Sequence, residues 1–188
     1  MNNQNLIYDV SKVLNGPEPV TLEEMKDFMR LEGFVDTDES TTDYLSEFDY
    51  DDVLINSLIT AAREKAESFT GCSFANNTVT VVFSNGTGEF ELPYGPIQDF
   101  TALYYKDGST VGESAIELFG TKFQYLELPE GEKLKAVYDA GFESCPYEVR
   151  LAIMQMVYHW YENRNEGGVP ETALTTLRPF KRPWTWLA

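Results

Sequence analysis

Five oxygen-bearing side chains in the first half of this chain have the spacing of a calcium loop. Asp36, Asp38, Ser40, Thr42 and Glu47 fall at positions one, three, five, seven and twelve of an EF-hand-like frame between two helical segments, the positions that supply oxygen ligands in such loops. The sixth position, where the sharp turn calls for glycine, is Thr41. A solvated acidic loop explains the same residues without an ion, so no metal ligand is assigned and no cofactor is expected. His159 is the one histidine. Without a second histidine or a paired cysteine it has no zinc partners, and it reads as a packing or interface residue. Cys72 and Cys145 are too few and too far apart for a disulfide framework, and read as small core residues. Gly86-Thr87-Gly88 follows a strand pattern but lacks the further glycine and helix of a phosphate-binding turn. No catalytic residue is nominated, and an enzyme is the weakest class.

The elements that would position these groups are two helical signatures held apart by a strand-rich stretch. Residues 1–20 read as an N-terminal arm, punctuated by Asn15-Gly16-Pro17-Glu18-Pro19. Residues 21–71 form a helical part. Thr21 and Glu24 have capping-box spacing, each side chain able to satisfy a free backbone donor at the helix start, and Leu22, Met25, Phe28 and Met29 then share a helical stripe. Residues 32–52 hold nine carboxylates and no Lys or Arg, and read as a long acidic loop. A second helix follows from about Asp51 to Thr70. Its inward face is Ile55, Ile59, Ala62, Ala66 and Phe69, and Arg63, Glu64, Lys65 and Glu67 are expected to face water. Gly71 is its natural stop.

Residues 72–145 change character to a β-rich insertion. Thr78–Phe83 is β-branched, and Asn85-Gly86 and Asp107-Gly108 read as turns. Glu89–Leu92, Asp99–Lys106, Phe123–Leu128 and Leu134–Asp139 are further strand candidates, giving a small antiparallel sheet. Pro146 opens a long helix over residues 146–166. Val149, Ala152, Ile153, Met156, Val157 and Trp160 make one apolar stripe; Leu151, Met154, Tyr158 and Tyr161 make a second beside it. A helix apolar around so much of its circumference needs partners on more than one side, so the second stripe is expected at a subunit interface. Residues 167–188 form a basic, aromatic, proline-broken tail. Its Leu177, Arg178, Pro179, Phe180, Lys181, Arg182, Trp184 and Trp186 suggest rigid anchors docking onto another surface. The fold class expected is α+β, mainly a helical bundle with a small antiparallel β insertion between the second and last long helices.

Bulk composition bounds the function. The chain has 188 residues, enough for one domain with an insertion or for two small lobes, and at 43% hydrophobic and 14% aromatic most of it should fold. No apolar run approaches the roughly 20 residues that span a bilayer, and the start has no signal-peptide pattern. The expectation is therefore cytosolic synthesis and no membrane contact. The formal charge of −17, from 31 acidic and 14 basic residues, lacks the cationic footprint that neutralises phosphates. Such acidity keeps a protein soluble, and on a channel wall it would also keep DNA from sticking. Asp36, Asp38, Glu39, Asp43, Glu47 and Asp49 are the candidates for a channel-facing role.

Taken in order, these segments resemble the head–tail connector, or adaptor, proteins of tailed bacteriophages. The likeness runs through Glu18-Pro19-Val20-Thr21-Leu22-Glu23-Glu24-Met25-Lys26 and Met29-Arg30, then Asp52, Leu58-Ile59-Thr60-Ala61-Ala62-Arg63-Glu64 and Phe69-Thr70-Gly71. It continues with Leu92-Pro93, Pro96-Ile97, Tyr138-Asp139-Ala140-Gly141-Phe142, Pro146 and Ile153, and closes with Tyr158-His159-Trp160-Tyr161-Glu162-Asn163-Arg164 and Leu177-Arg178-Pro179-Phe180. Order and spacing carry it, over about Glu18 to Lys181. Two features depart from the pattern: the acidic segment 32–52 looks long for a helix connection, and the end beyond Lys181 is rich in Trp. The resemblance implies a structural virion protein, commonly dodecameric, made in the bacterial host cytoplasm. It would form a ring at the neck beneath the portal, join the DNA-filled head to the tail through the next tail-proximal protein, and pass double-stranded DNA without sequence-specific binding. The competing class is a free acidic binding module, with or without calcium dependence.

Overall fold

The computed structural model describes residues 7–31, 45–83, 86–112, 117–120, 124–131, 133–164 and 168–182. Its elements in chain order are β1 (Ile7–Leu14), α1 (Leu22–Met29), α2 (Leu45–Thr70), β2 (Asn77–Phe83), β3 (Gly86–Glu91), β4 (Ile97–Tyr105), β5 (Glu117–Phe119), β6 (Tyr125–Gly131), β7 (Leu134–Ala140), α3 (Tyr147–Glu162) and α4 (Glu171–Leu177). A single 3-10 turn, Arg178–Phe180, follows α4. The chain divides into two compact units. Residues 18–70 and 145–180 make a helical unit; residues 1–17, 71–144 and 181–188 make a strand unit.

In the strand unit, four strands pair antiparallel in the order β1-β2-β7-β4, and three more in the order β3-β6-β5. β2 and β7 alternate strictly between covered and open positions, as a half-buried strand must. Val79, Val81 and Phe83 of β2 and Leu134, Ala136, Tyr138 and Ala140 of β7 point inward. They meet Phe90 of β3, Leu126 of β6 and Leu103 of β4 in one apolar cluster. The Phe83 and Phe90 rings meet edge to face at 4.5 Å, so both sheets share this core. Each fully buried large side chain adds about 1.5–3 kcal/mol. Tyr138 is buried completely, and its hydroxyl donates to the Pro93 carbonyl at 2.7 Å. Burial pushes its phenol well above the usual value, with Arg182 pulling the other way.

In the helical unit, α1 starts at Thr21 with a complete capping box: the Glu24 N–H donates to the Thr21 hydroxyl, and the Thr21 N–H to the Glu24 carboxylate. Arg30, in left-handed backbone at φ 55°, ends it. α2 presents Ile55, Ile59, Ala62 and Ala66 inward, all essentially unexposed. α3 answers with Val149, Ala152, Ile153, Met156 and Val157, and α4 covers it further with Ala173 and Leu177. Asn163 closes α3, its backbone and side-chain N–H groups both donating to the His159 carbonyl.

Four expectations need correction. The chain is not mainly a helical bundle: helices take 41% and strands 28%, a mixed α+β protein. Part of that difference is Ile7–Leu14, read as arm but forming β1. Its pairing partner, Asn77–Phe83, lies far along the chain, and such register leaves no local mark. The second helix begins at Leu45, inside the stretch read as acidic loop. Its polar, aromatic first turns lack the apolar periodicity that marks Ile55 onward. Finally, the tail is not wholly irregular, because Pro170 precedes the short helix α4. Proline's fixed φ suits a helix start.

Candidate interaction surfaces

Among the described residues, those expected to do chemistry do not converge on one site. Of the calcium frame, Asp36, Asp38, Ser40, Thr41 and Thr42 lie outside the described residues, as do Glu39 and Asp43. Glu47 and Asp49 lie within α2. Among the described residues, no group of three or more His, Cys, Asp or Glu could hold a metal ion, and no helix is long and apolar enough to cross a membrane. His159 is half-buried near the end of α3, its Nδ1 3.4 Å from the Asn163 amide nitrogen. Cys72 is buried in the strand unit. Cys145 is half-buried in the helical unit, where burial pushes its thiol up to about 12 against the pull of Arg150. A thiol so protonated is a poor nucleophile.

The acidic stretch ends in two carboxylates that are committed inside the helical unit. Asp52 lies 2.5 Å from the Lys26 ammonium of α1, and the Tyr161 hydroxyl of α3 donates to Asp51 at 3.1 Å. Burial, then the Asp51 hydrogen bond and charge, raise the Tyr161 phenol above its usual value. These contacts tie α2, about two turns in from its start, to α1 and α3.

That geometry also revises the second stripe of α3. Met154 is only 7% exposed, packed in the unit's own core. Leu151 and Tyr161 are half-buried. Tyr158 is the open member at 46%, with its ring edge to face against Phe28 of α1 at 6.4 Å. Phe28, Leu31 and Val53 are likewise exposed. The unit therefore covers more of α3 than the sequence suggests, because α1, α2 and α4 all pack on it. What stays open on α3 is Tyr158, beside Phe28, together with Tyr147 at its start, rather than the whole second stripe.

The tail divides in the same way. Leu177 is fully buried in the helical unit. Arg178 is exposed and paired with Glu171 at 2.6 Å, Pro179 and Lys181 are exposed, and Phe180 is half-buried. Arg182 is only 4% exposed, inside the strand unit. Its Nη1 donates to the Leu92 carbonyl at 2.5 Å and lies 3.5 Å from the Glu91 carboxylate. Gly95 gives it room: a Cβ there would meet Nη2 at 2.9 Å. Trp184 and Trp186 lie outside the described residues.

Sequence reasoning missed a buried ion network in α2. Arg63 and Glu67, expected to face water, are 4% and 0% exposed. The Arg63 guanidinium donates to Glu18 at 2.7 Å and to Glu67 at 3.0 Å, and the Thr60 hydroxyl also donates to Glu18. Burial works against the charge on Arg63, but the hydrogen bond to Glu18 and the fields of Glu67, Glu18 and Glu64 outweigh it and hold its pKa up. Similarly, Arg150 of α3 pairs with Glu24 of the α1 cap. The Glu24 carboxyl is held below its usual value, first by the Thr21 N–H and then by Arg150. The available signal was Glu18-Pro19 beside a capped helix, which places a carboxylate at a fixed entry to the unit.

No protein-family model and no curated protein matches the chain. Solved structures with the same fold do exist. A chain in the neck of an empty GTA particle, computed with C6 symmetry, superposes with a TM-score of 0.74 at 18% identity, covering 94% of this chain and 97% of that one. A chain in the virion of a native gene transfer agent (GTA) particle gives 0.72 at 18%, over 94% and 96%. A third, in the neck of the native GTA particle computed with C12 symmetry, gives 0.60 at 17%, over 92% and 97%. The likeness is one of fold, over nearly the full length of both chains.

Proposed function

We propose that this chain is a structural subunit of a phage-type particle neck. It acts as a head–tail adaptor that closes into a ring, twelve copies being expected, beneath the portal. The carrying observation is the fold shared with neck chains end to end, 94% of this chain against 97% of that one. The resemblance in the order of its sequence segments supports the same reading independently of the coordinates. In this role the chain joins the DNA-filled head to the tail, seats the next tail-proximal protein and continues the DNA channel. A net charge of −17 suits a wall past which DNA slides, since few cations are present to replace its counterions.

Within this reading, the open patch around Tyr158, flanked by Leu151, meets a neighbouring copy. The tail from Arg178 onward meets the portal or a neighbouring copy, with Leu177 and Arg182 fixing its root. Location in the virion neck, after synthesis in the bacterial host cytoplasm, follows from the same proposal. The test is a quantitative mass spectrum of purified particles, with copy number referred to the portal. The expected result is a fixed complement equal to that of the portal ring; particles lacking the chain, or carrying it at irregular stoichiometry, overturn the proposal.

A further inference from the structure

Arg182 is 4% exposed, a degree of burial that a guanidinium tolerates only where the surroundings are shaped and charged for it. Two glycines do the shaping. A Cβ at Gly71 would stand 3.2 Å from the Arg182 Cδ, and one at Gly95 would stand 2.9 Å from Nη2. The first glycine makes room for the stem and the second for the head. Nη1 donates to the Leu92 carbonyl at 2.5 Å and lies 3.5 Å from the Glu91 carboxylate. A carbonyl and a carboxylate side by side suit the planar fork of a guanidinium, whereas an ammonium is a compact point charge.

The walls of this slot are joined to one another by bonds that do not involve Arg182. The Tyr94 N–H donates to the Gly71 carbonyl at 3.1 Å, and the Ser73 N–H donates to the Tyr94 and Gly95 carbonyls at 3.2 and 3.1 Å. The Leu92 N–H donates to the Gln124 carbonyl at 3.0 Å, and the Tyr138 hydroxyl to the Pro93 carbonyl at 2.7 Å. Leu92 and Tyr138 are themselves fixed in the apolar core of the two sheets. A site held this firmly relaxes only in part when a side chain is removed from it. Without the arginine, a slot remains.

We propose that this slot is a binding site for alkylguanidinium ions. Arg182 fills it in this chain, and the same group enters from solution when that side chain is missing. The driving force is the cost of leaving the Glu91 carboxylate and the Leu92 carbonyl facing an empty, desolvated space. Arg182 is then a ligand carried by the chain, and its hold at this point is one separable ionic contact. The slot lies wholly within the strand unit, so the inference is independent of the ring reading.

Chemical rescue of the full chain carrying Arg182→Ala tests this. Its melting temperature should fall by about 5–10 °C, as expected when one partner of a buried ion pair is lost. Ethylguanidinium at about 50 mM should restore about 3 °C or more, rising with the logarithm of its concentration. Ethylammonium at the same ionic strength should not. The unaltered chain, its slot filled, should gain nothing from either ion. Adding Gly95→Ala to Arg182→Ala places a methyl group where the head would sit, and should abolish the rescue. If Arg182→Ala fails to fold, refolding yield replaces the melting temperature: recovery with ethylguanidinium alone supports the site, and no recovery overturns it. An Arg182→Ala chain as stable as the parent, absent rescue, equal rescue by ethylammonium, rescue that survives Gly95→Ala, or an equal rise in the unaltered chain would each overturn it as well. None of these outcomes bears on copy number in the particle, so the neck reading is decided separately.

Discussion

The helical and strand units use the chain's scarce cations differently. In the helical unit Lys26, Arg63, Arg150 and Arg178 pair with carboxylates, and Arg164 lies over the Tyr161 ring. In the strand unit, among the described residues, Lys12 and Lys135 lie over the Tyr94 and Tyr104 rings, and Arg182 lies beside Glu91. A helix bundle cut from a strongly acidic sequence must neutralise carboxylates where its helices meet. A sheet pair that closes on Phe, Leu, Val and Tyr rests chiefly on apolar burial, and its lysines add covering methylenes and a cation over an aromatic face. The difference teaches where solution conditions will act: ionic strength and acid on the helical unit, cavities and temperature on the strand unit.

The sharpest way to break that contrast is Phe83→Ala. It removes a fully buried ring from the core shared by both sheets and should cost about 3–5 kcal/mol. Urea unfolding should show the loss undiminished in high salt; a strongly salt-dependent loss would contradict an apolar origin. Arg63→Met comes next. It keeps the packed stem but leaves Glu67, with no exposure, and Glu18 without their guanidinium. A loss of about 3 kcal/mol is expected, followed by a helix-specific signal such as far-ultraviolet dichroism. A neutral result would show that other partners of Glu67 suffice.

The smallest expected effect is that of Glu24→Gln. The Glu24 carboxyl is held below its usual value, so its charged form stabilises the folded state above the unfolded carboxylate pKa. That contribution is lost as pH falls through the folded value. Because the pair is partly open to solvent, with the Glu24 side chain 42% exposed, the loss at neutral pH should stay below about 1 kcal/mol. Stability measured from pH 6 down to about pH 3 should fall less steeply in the variant than in the parent. Parallel curves would remove Glu24 from the acid response.

How far the sequence carried the fold depended on the reach of each signal. The α1 cap was readable because Thr21 and Glu24 are three residues apart and complete their own hydrogen bonds. The inward stripe of α3 and the alternation of β2 and β7 were readable for the same local reason. β1 was not, since Ile7–Leu14 becomes a strand through a distant partner. Nor was the burial of Arg63 and Glu67, which occupy helix positions that look solvent-facing until Glu18 is brought to them. Of the proposed interaction residues, Tyr158, Arg178, Pro179 and Lys181 remain open. Met154, Leu177 and Arg182 turned inward because α1, α2 and α4, and the pocket at Gly95, supply more cover than one helix pattern reveals.

The polypeptide passes between its two units four times, near residues 17, 70, 144 and 180. Neither half is therefore a contiguous stretch of gene. One protease cut at any crossing leaves three covalent tethers, so a nicked protein should run whole on a native gel and fall into fragments only in detergent. Trading one half for another's by a single recombination event is closed to this architecture as well, and the two halves must be inherited together.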